Sequence, residues 1–297
     1  MAVIHPGRLF LKKHGQIRTS EDVFVYGDFL RAEAGIDNVI PVDLEAIFRH
    51  FELPQPKPVP LGSVQALLLE PQSGLILVNS EDPKFRQRFS LAHELVEMLF
   101  SELTQEIDLG EGWSLKRPGG FRENVKERLC DQTAANLLMP VVYIRQQIHH
   151  HDVNFECARL VADECKVSLL AALVQLARTS PKKHAVILWR MKNKPVELKR
   201  PTGPNQITLF QTTNDLPPKK LRVEWSLGGP TAQFIPKEKS TENSSIVYRA
   251  WEKGIFTSGK ERMTFNNRNS AWYFSENMPF DYSGERGIIS LIERLEQ

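Results

Sequence analysis

A histidine and two glutamates stand close together at His93, Glu94 and Glu97, within the stretch Arg86-Gln-Arg-Phe-Ser-Leu-Ala-His93-Glu94-Leu-Val-Glu97-Met-Leu-Phe100. On a helix, His93 and Glu97 are i and i+4, so they lie on one face and both reach a single atom beside it. Glu94 projects to the side of that pair, where a carboxylate can take a proton from a water held by its neighbours. An imidazole and carboxylates converging on one point are donors for a divalent cation. The pattern is H-E-x-x-H with its second histidine replaced by glutamate. Alone it is weak evidence, because the same residues also make a partly solvated polar face on a core helix.

The elements that must hold these groups are legible around them. Phe89, Ala92, Val96, Leu99 and Phe100 recur at helical spacing and predict a largely buried amphipathic helix over residues 86–100. A second helix is predicted from about Glu123 to Met139, with Val125, Leu129, Thr133, Asn136 and Leu137 on one face and Pro140 marking its end. Glu127 and Asp131 are i and i+4 on it. In one large class of zinc peptidases a downstream helix presents a third ligand through such a glutamate, while the aspartate orients the first histidine. A solvated face of i,i+4 pairs among Glu123, Lys126, Glu127 and Arg128 is the competing reading.

Composition bounds the chemistry. The chain has 297 residues, 41% hydrophobic and 25% charged, which is ordinary for a globular protein long enough for two cores. With 38 basic and 36 acidic residues the net charge is +2, too balanced for an overall nucleic-acid or membrane surface. Cys130, Cys157 and Cys165 fit no zinc-ribbon spacing and read as reduced, buried thiols of a cytoplasmic protein. The start lacks a signal peptide, and the longest apolar runs are too short to span a bilayer.

In chain order, residues 1–20 read as an N-terminal arm, 21–180 as the domain that carries the motif, and 184–297 as a β-rich C-terminal domain of unassigned role. Helices are predicted at Glu21 to Glu33 and after Asp43. Val64 to Leu69 and Gly74 to Asn79 predict a hairpin. The Gly-rich stretch after Phe100 predicts a long surface loop. His149-His150-His151 or Tyr143 is a candidate electrophile, although a His triplet is more often a solvated helix end. Residues 155–178 contain two short helices with few basic residues, which favours packing over DNA reading. Beyond Pro181, strands are predicted at His184 to Met191, Gln206 to Thr212, Arg222 to Ser226, Ser245 to Trp251 and Ala271 to Phe274, then a helix at Arg286 to Leu295. Trp225, Trp251, Trp272, Tyr273 and Phe274 are candidates for a pocket lining, against the commoner role of core.

Two segments carry a family resemblance. Arg88-Phe-Ser-Leu-Ala-His93-Glu94-Leu95, followed by Glu127-Arg-Leu-Cys130-Asp131-Gln-Thr-Ala-Ala-Asn-Leu-Leu-Met-Pro140, resembles the ImmA/IrrE family of metallo-endopeptidases. Pro41 to Ile47, Gly74 to Asn79 and the Val167-Ser168 region are similar to its flanking elements. The resemblance covers roughly residues 30–180 and implies an α+β, minimal zincin-like (gluzincin-type) domain. It implies His93, Glu97 and Glu127 as metal ligands, Glu94 as general base and Asp131 as the partner that orients His93. Position 97 is a histidine in the family pattern. A His/Glu/Glu set neutralises a divalent cation, whereas two imidazoles and one carboxylate leave it positive.

The cofactor implied by the resemblance is zinc, and the added carboxylate shifts the preference toward manganese or iron. The activity implied is cleavage of a specific protein partner, a helix-turn-helix transcriptional repressor, in a stress response in the cytoplasm, with no membrane and no direct nucleic acid involved. The alternative is a catalytically degenerate zincin-like protein acting as a protein-binding regulator.

Overall fold

The computed structural model describes residues 4–103, 107–110, 113–115, 123–198, 217–229, 232, 234–266, 269–282 and 285–296. It divides into two compact units, residues 1–151 with 156–175 and residues 152–155 with 176–297. The architecture is α+β.

The first unit begins with α1 (Pro6–His14), α2 (Ser20–Glu33) and α3 (Leu44–His50). Local chemistry sets their starts. Thr19 and Asp22 form a capping box on α2, with Thr19 Oγ1 accepting from Asp22 N–H and Asp22 Oδ2 accepting from Thr19 N–H. Asp43 caps α3 through Ala46 N–H. Residues 6–14 are therefore not the loose arm expected from sequence. Pro6 opens the helix at a position needing no N–H, His5 Nδ1 accepts from Arg8 N–H, and Gly7 and Phe10 are buried. A Cβ on Gly7 would stand 2.8 Å from the Met98 carbonyl oxygen, so the lack of a side chain lets α1 lie against the backbone of the motif helix.

Next come β1 (Lys57–Val59), β2 (Ala66–Glu70) and β3 (Leu75–Asn79), ordered β1-β3-β2, with β1 parallel and β2 antiparallel to β3. The hairpin turn closes where Gly74, at φ +70°, donates its N–H to the Glu70 carbonyl. The motif helix α4 (Lys84–Ser101) follows and packs against α1, β2, β3 and α5. It buries Ala92, Leu95, Val96, Met98, Leu99 and Phe100, a wider apolar face than an a/d stripe, because neighbours cover several of its sides.

The stretch after Phe100, expected to be a loop, contains a two-stranded ladder of β4 (Ile107–Gly110) and β5 (Trp113–Leu115). Then come α5 (Glu123–Leu138), α6 (Val141–His150), α7 (Phe155–Cys165) and α8 (Leu169–Thr179). The buried Arg31 of α2 donates from Nη1 to the carbonyls of Asn136 and Leu137, satisfying the end of α5 and fixing it against α2. Among the described residues no helix is long and apolar enough to cross a membrane.

The second unit is an antiparallel five-stranded sheet made of β6 (His184–Lys192), β7 (Lys220–Gly228), β8 (Thr257–Asn266), β9 (Asn269–Tyr282) and β10 (Glu285–Arg294), with α9 (Pro195–Leu198) and α10 (Ile246–Lys253). Its order is β7-β6-β10-β9-β8. Two sequence expectations are corrected here. Ser245 to Trp251 belongs to a helix, because Ser245 Oγ caps Tyr248 N–H and Gly254 ends it in the left-handed region. Residues 286–294 form a strand, because Ile288, Ile289, Leu291 and Ile292 are buried between β6 and β9, and a short continuous apolar run carries no period of its own.

The expected strand at Gln206 to Thr212 lies outside the described residues. The aromatics also separate: Tyr273 packs edge-on to Phe265 in the core, while Trp272 and Phe274 alternate to an exposed face.

Candidate metal centre

His93, Glu94 and Glu97 project from α4 so that one ligand atom from each lies within 4.8 Å of the others. Helical register produces this arrangement, because the buried neighbours Ala92, Leu95, Val96 and Leu99 fix how α4 is rotated. α5 runs alongside α4 and brings two more carboxylates. Glu127 Oε2 is 3.4 Å from His93 Nε2, and Asp131 Oδ1 is 3.0 Å from His93 Nδ1. The five residues singled out in the sequence therefore meet around one imidazole.

Each contact has a chemical consequence. Asp131 accepts from Nδ1–H of a neutral His93, which places the free lone pair on Nε2, on the side of Glu127. Burial lowers the His93 pKa, but the hydrogen bond and charge of Asp131, with Glu94 and Glu127, outweigh it and leave the pKa raised. Glu94 is itself buried and accepts the Leu68 N–H from β2 at 2.9 Å through Oε2. Burial and the nearby Glu97 carboxylate push its pKa up to about 7, against opposing pulls from His93 and Leu68. A carboxyl group poised near neutrality is suited to accept and return a proton.

The donors suit a divalent cation: the His93 imidazole clusters with carboxylate oxygens of Glu94 and Glu97, and Glu127 Oε2 lies beside His93 Nε2. Cys130 is no competitor for that role. It lies outside the cluster of His93, Glu94 and Glu97, and burial with the surrounding carboxylates raises its thiol pKa well above the ordinary range.

Two participants escaped the sequence reading. Lys126, counted there only as part of a charged face, donates from Nζ to Glu97 Oε1. Burial lowers its pKa, and the hydrogen bond and charge of Glu97 more than reverse this. The Leu68 N–H is the other, a backbone donor that no side-chain pattern reveals. The lone sequence signal for Lys126 was its place beside Glu127. Of the candidate electrophiles, the Tyr143 hydroxyl donates to Glu164, and His149 and His150 pack edge to face, 5.2 Å apart, at the end of α6.

Residues 55–177 match the family model described as the IrrE N-terminal-like domain, Peptidase_M78. The chain is 35% identical over 113 residues to the radiation response metalloprotease IrrE of Deinococcus deserti, covering 38% of this chain and 39% of that protein. It is 32% identical over 116 residues to the protein of the same name in Deinococcus radiodurans, covering 38% of this chain and 33% of that one. The matched stretch thus spans 39% and 33% of these two relatives. Among solved structures, a Mycobacterium tuberculosis transcriptional regulator superposes with a TM-score of 0.58 at 13% identity, covering 97% of this chain and 92% of that chain. That likeness is one of fold.

Proposed function

We propose that the chain is a metal-dependent endopeptidase, on the premise that residues 55–177 match the IrrE N-terminal-like domain of the peptidase M78 family. The observation that carries the reading is the convergence of His93, Glu94 and Glu97 within 4.8 Å, with Glu127 and Asp131 on the two nitrogens of His93. His93, Glu97 and Glu127 would hold the cation. When bound, a divalent cation supplies a Lewis acid that polarises the scissile carbonyl and acidifies water. Glu94 receives the proton from the attacking water at its carboxylate and returns it to the leaving amine. The Leu68 N–H holds that carboxylate in place, and Asp131 keeps His93 in the ligating tautomer.

In this reading the substrate is a protein, by likeness to the family a helix-turn-helix transcriptional repressor, and the setting is a cytoplasmic stress response. The names of the two Deinococcus relatives, radiation response metalloproteases, agree with a stress response. Zinc is the ion by resemblance, with manganese or iron favoured by the carboxylate at Glu97.

One observation favours a second reading, in which the domain binds a protein without cutting it: Glu97 already has a cationic partner in Lys126. Incubating the purified protein, and its Glu94→Gln variant, with zinc or manganese and candidate helix-turn-helix repressors of its host separates the two. A single metal-dependent cut made by the wild type alone is expected. Complex formation without a cut, at every metal concentration, would establish the regulator instead.

A further inference from the structure

Glu97 and Lys126 belong to different helices, lie 29 positions apart in the chain, and form an ion pair inside the centre. Both side chains are largely withdrawn from solvent, at 27% and 17% exposure. Such a pair is held by mutual need, since either group left alone is a poorly solvated charge. The charge count is informative. A histidine at position 97 would bring no charge to the cation, whereas Glu97 brings one negative charge and Lys126 one positive. Together they sum to that of the histidine in H-E-x-x-H.

Resting on the reading that this cluster holds a divalent cation, we propose that Lys126 is the affinity-setting partner of Glu97. Its ammonium engages one carboxylate oxygen and cancels the carboxylate charge, so that the pair acts as a unit in place of a neutral imidazole. A carboxylate oxygen of Glu97 still lies within 4.8 Å of ligand atoms of His93 and Glu94. Lys126 touches neither substrate nor water in this role; it acts through Glu97, and its position on α5 directly before Glu127 couples it to a second ligand-bearing turn.

The two residues then respond oppositely to substitution. Lys126→Met leaves the carboxylate uncompensated and strengthens cation binding. Glu97→His leaves an ammonium unpaired beside a dication and does not strengthen it, although it restores the usual two-histidine motif. Removing both charges together relieves that repulsion.

The test uses the full chain and metal alone, with zinc or manganese titrated against a chromophoric chelator and folding checked by thermal unfolding. Lys126→Met is expected to bind manganese at least about tenfold tighter than wild type, while Lys126→Arg, which keeps the charge, stays within about threefold. Glu97→His is expected to bind zinc no tighter than wild type, and Glu97→His with Lys126→Met at least about tenfold tighter than Glu97→His alone. The inference is overturned if Lys126→Met binds no tighter than wild type, or if Glu97→His alone gains tenfold in zinc affinity. If no variant binds metal, it falls together with the metal-site reading. If the affinities follow the expected pattern and no cut is ever made, the inference stands and the endopeptidase reading is the one that fails.

Discussion

His93 of α4 and Asp131 of α5 are joined by a 3.0 Å hydrogen bond between Nδ1 and Oδ1, which decides where the imidazole keeps its free lone pair. Removing the aspartate frees the ring to rotate and to change tautomer. Asp131→Ala is therefore expected to weaken zinc binding by about 10- to 100-fold. The side chain is 59% exposed, so the fold should barely notice the loss. Isothermal titration with zinc, beside a thermal melt, checks both halves. A melt that collapses along with the affinity would show that Asp131 serves the helix pair more than the ligand.

Glu94 is the group whose removal separates binding from chemistry. Glu94→Gln keeps an oxygen for the Leu68 N–H but cannot accept the proton. Cleavage of the proposed protein substrate should fall by at least about 100-fold, while metal affinity stays within about threefold. If cleavage persists at a comparable rate, the proton goes elsewhere and Glu94 is not the base.

Where the sequence was legible, one physical signal was enough. The rotation of α4 followed from apolar residues at a period of 3.6, and with it the shared face of His93 and Glu97. Glu127 and Asp131 were legible for the same reason on α5. The Lys126 to Glu97 pair was not, because no local spacing links residues on two helices and a lysine in a charged run looks solvated. In the second unit, β10 was misjudged as a helix because residues 287–292 are buried on both faces of this central strand, which erases the alternation. The short helix α10 was missed because Val247, Tyr248 and Trp251 are good strand formers, and its cap and terminal glycine decide the matter.

The close approach of α1 to α4 gives a stability prediction. Gly7→Ala places a methyl group 2.8 Å from the Met98 carbonyl oxygen and 2.9 Å from the Leu99 Cα, both backbone atoms that cannot swing away. The helices must separate, at a cost of about 1–3 kcal/mol. Chemical denaturation measures this directly. Because Met98 and Leu99 follow Glu97 on α4, a reduced metal affinity is expected to accompany the loss. An unchanged midpoint would mean that α1 contributes little to the unit.

The last prediction concerns mild acid. His5 is buried, accepts the Arg8 N–H at Nδ1 to cap α1, and donates from Nε2 to the Pro71 carbonyl, an arrangement that only the neutral ring can make. Burial holds its pKa below the ordinary 6.5, and the charge of Arg8 helps, against raising contributions from Glu102 and the Pro71 bond. Below 6.5 the unfolded chain therefore binds more protons at this residue than the folded one, and stability falls as pH falls from there through the lowered folded value. His5→Asn keeps an acceptor suited to a helix N-terminus and removes the proton. Between about pH 7 and pH 5 the wild type should lose a few degrees of melting temperature more than the variant. Glu102, whose own pKa lies below 4.5, stays ionised through most of that window and does not mask the difference. Parallel melting curves for the two proteins would show that His5 is not the group that titrates.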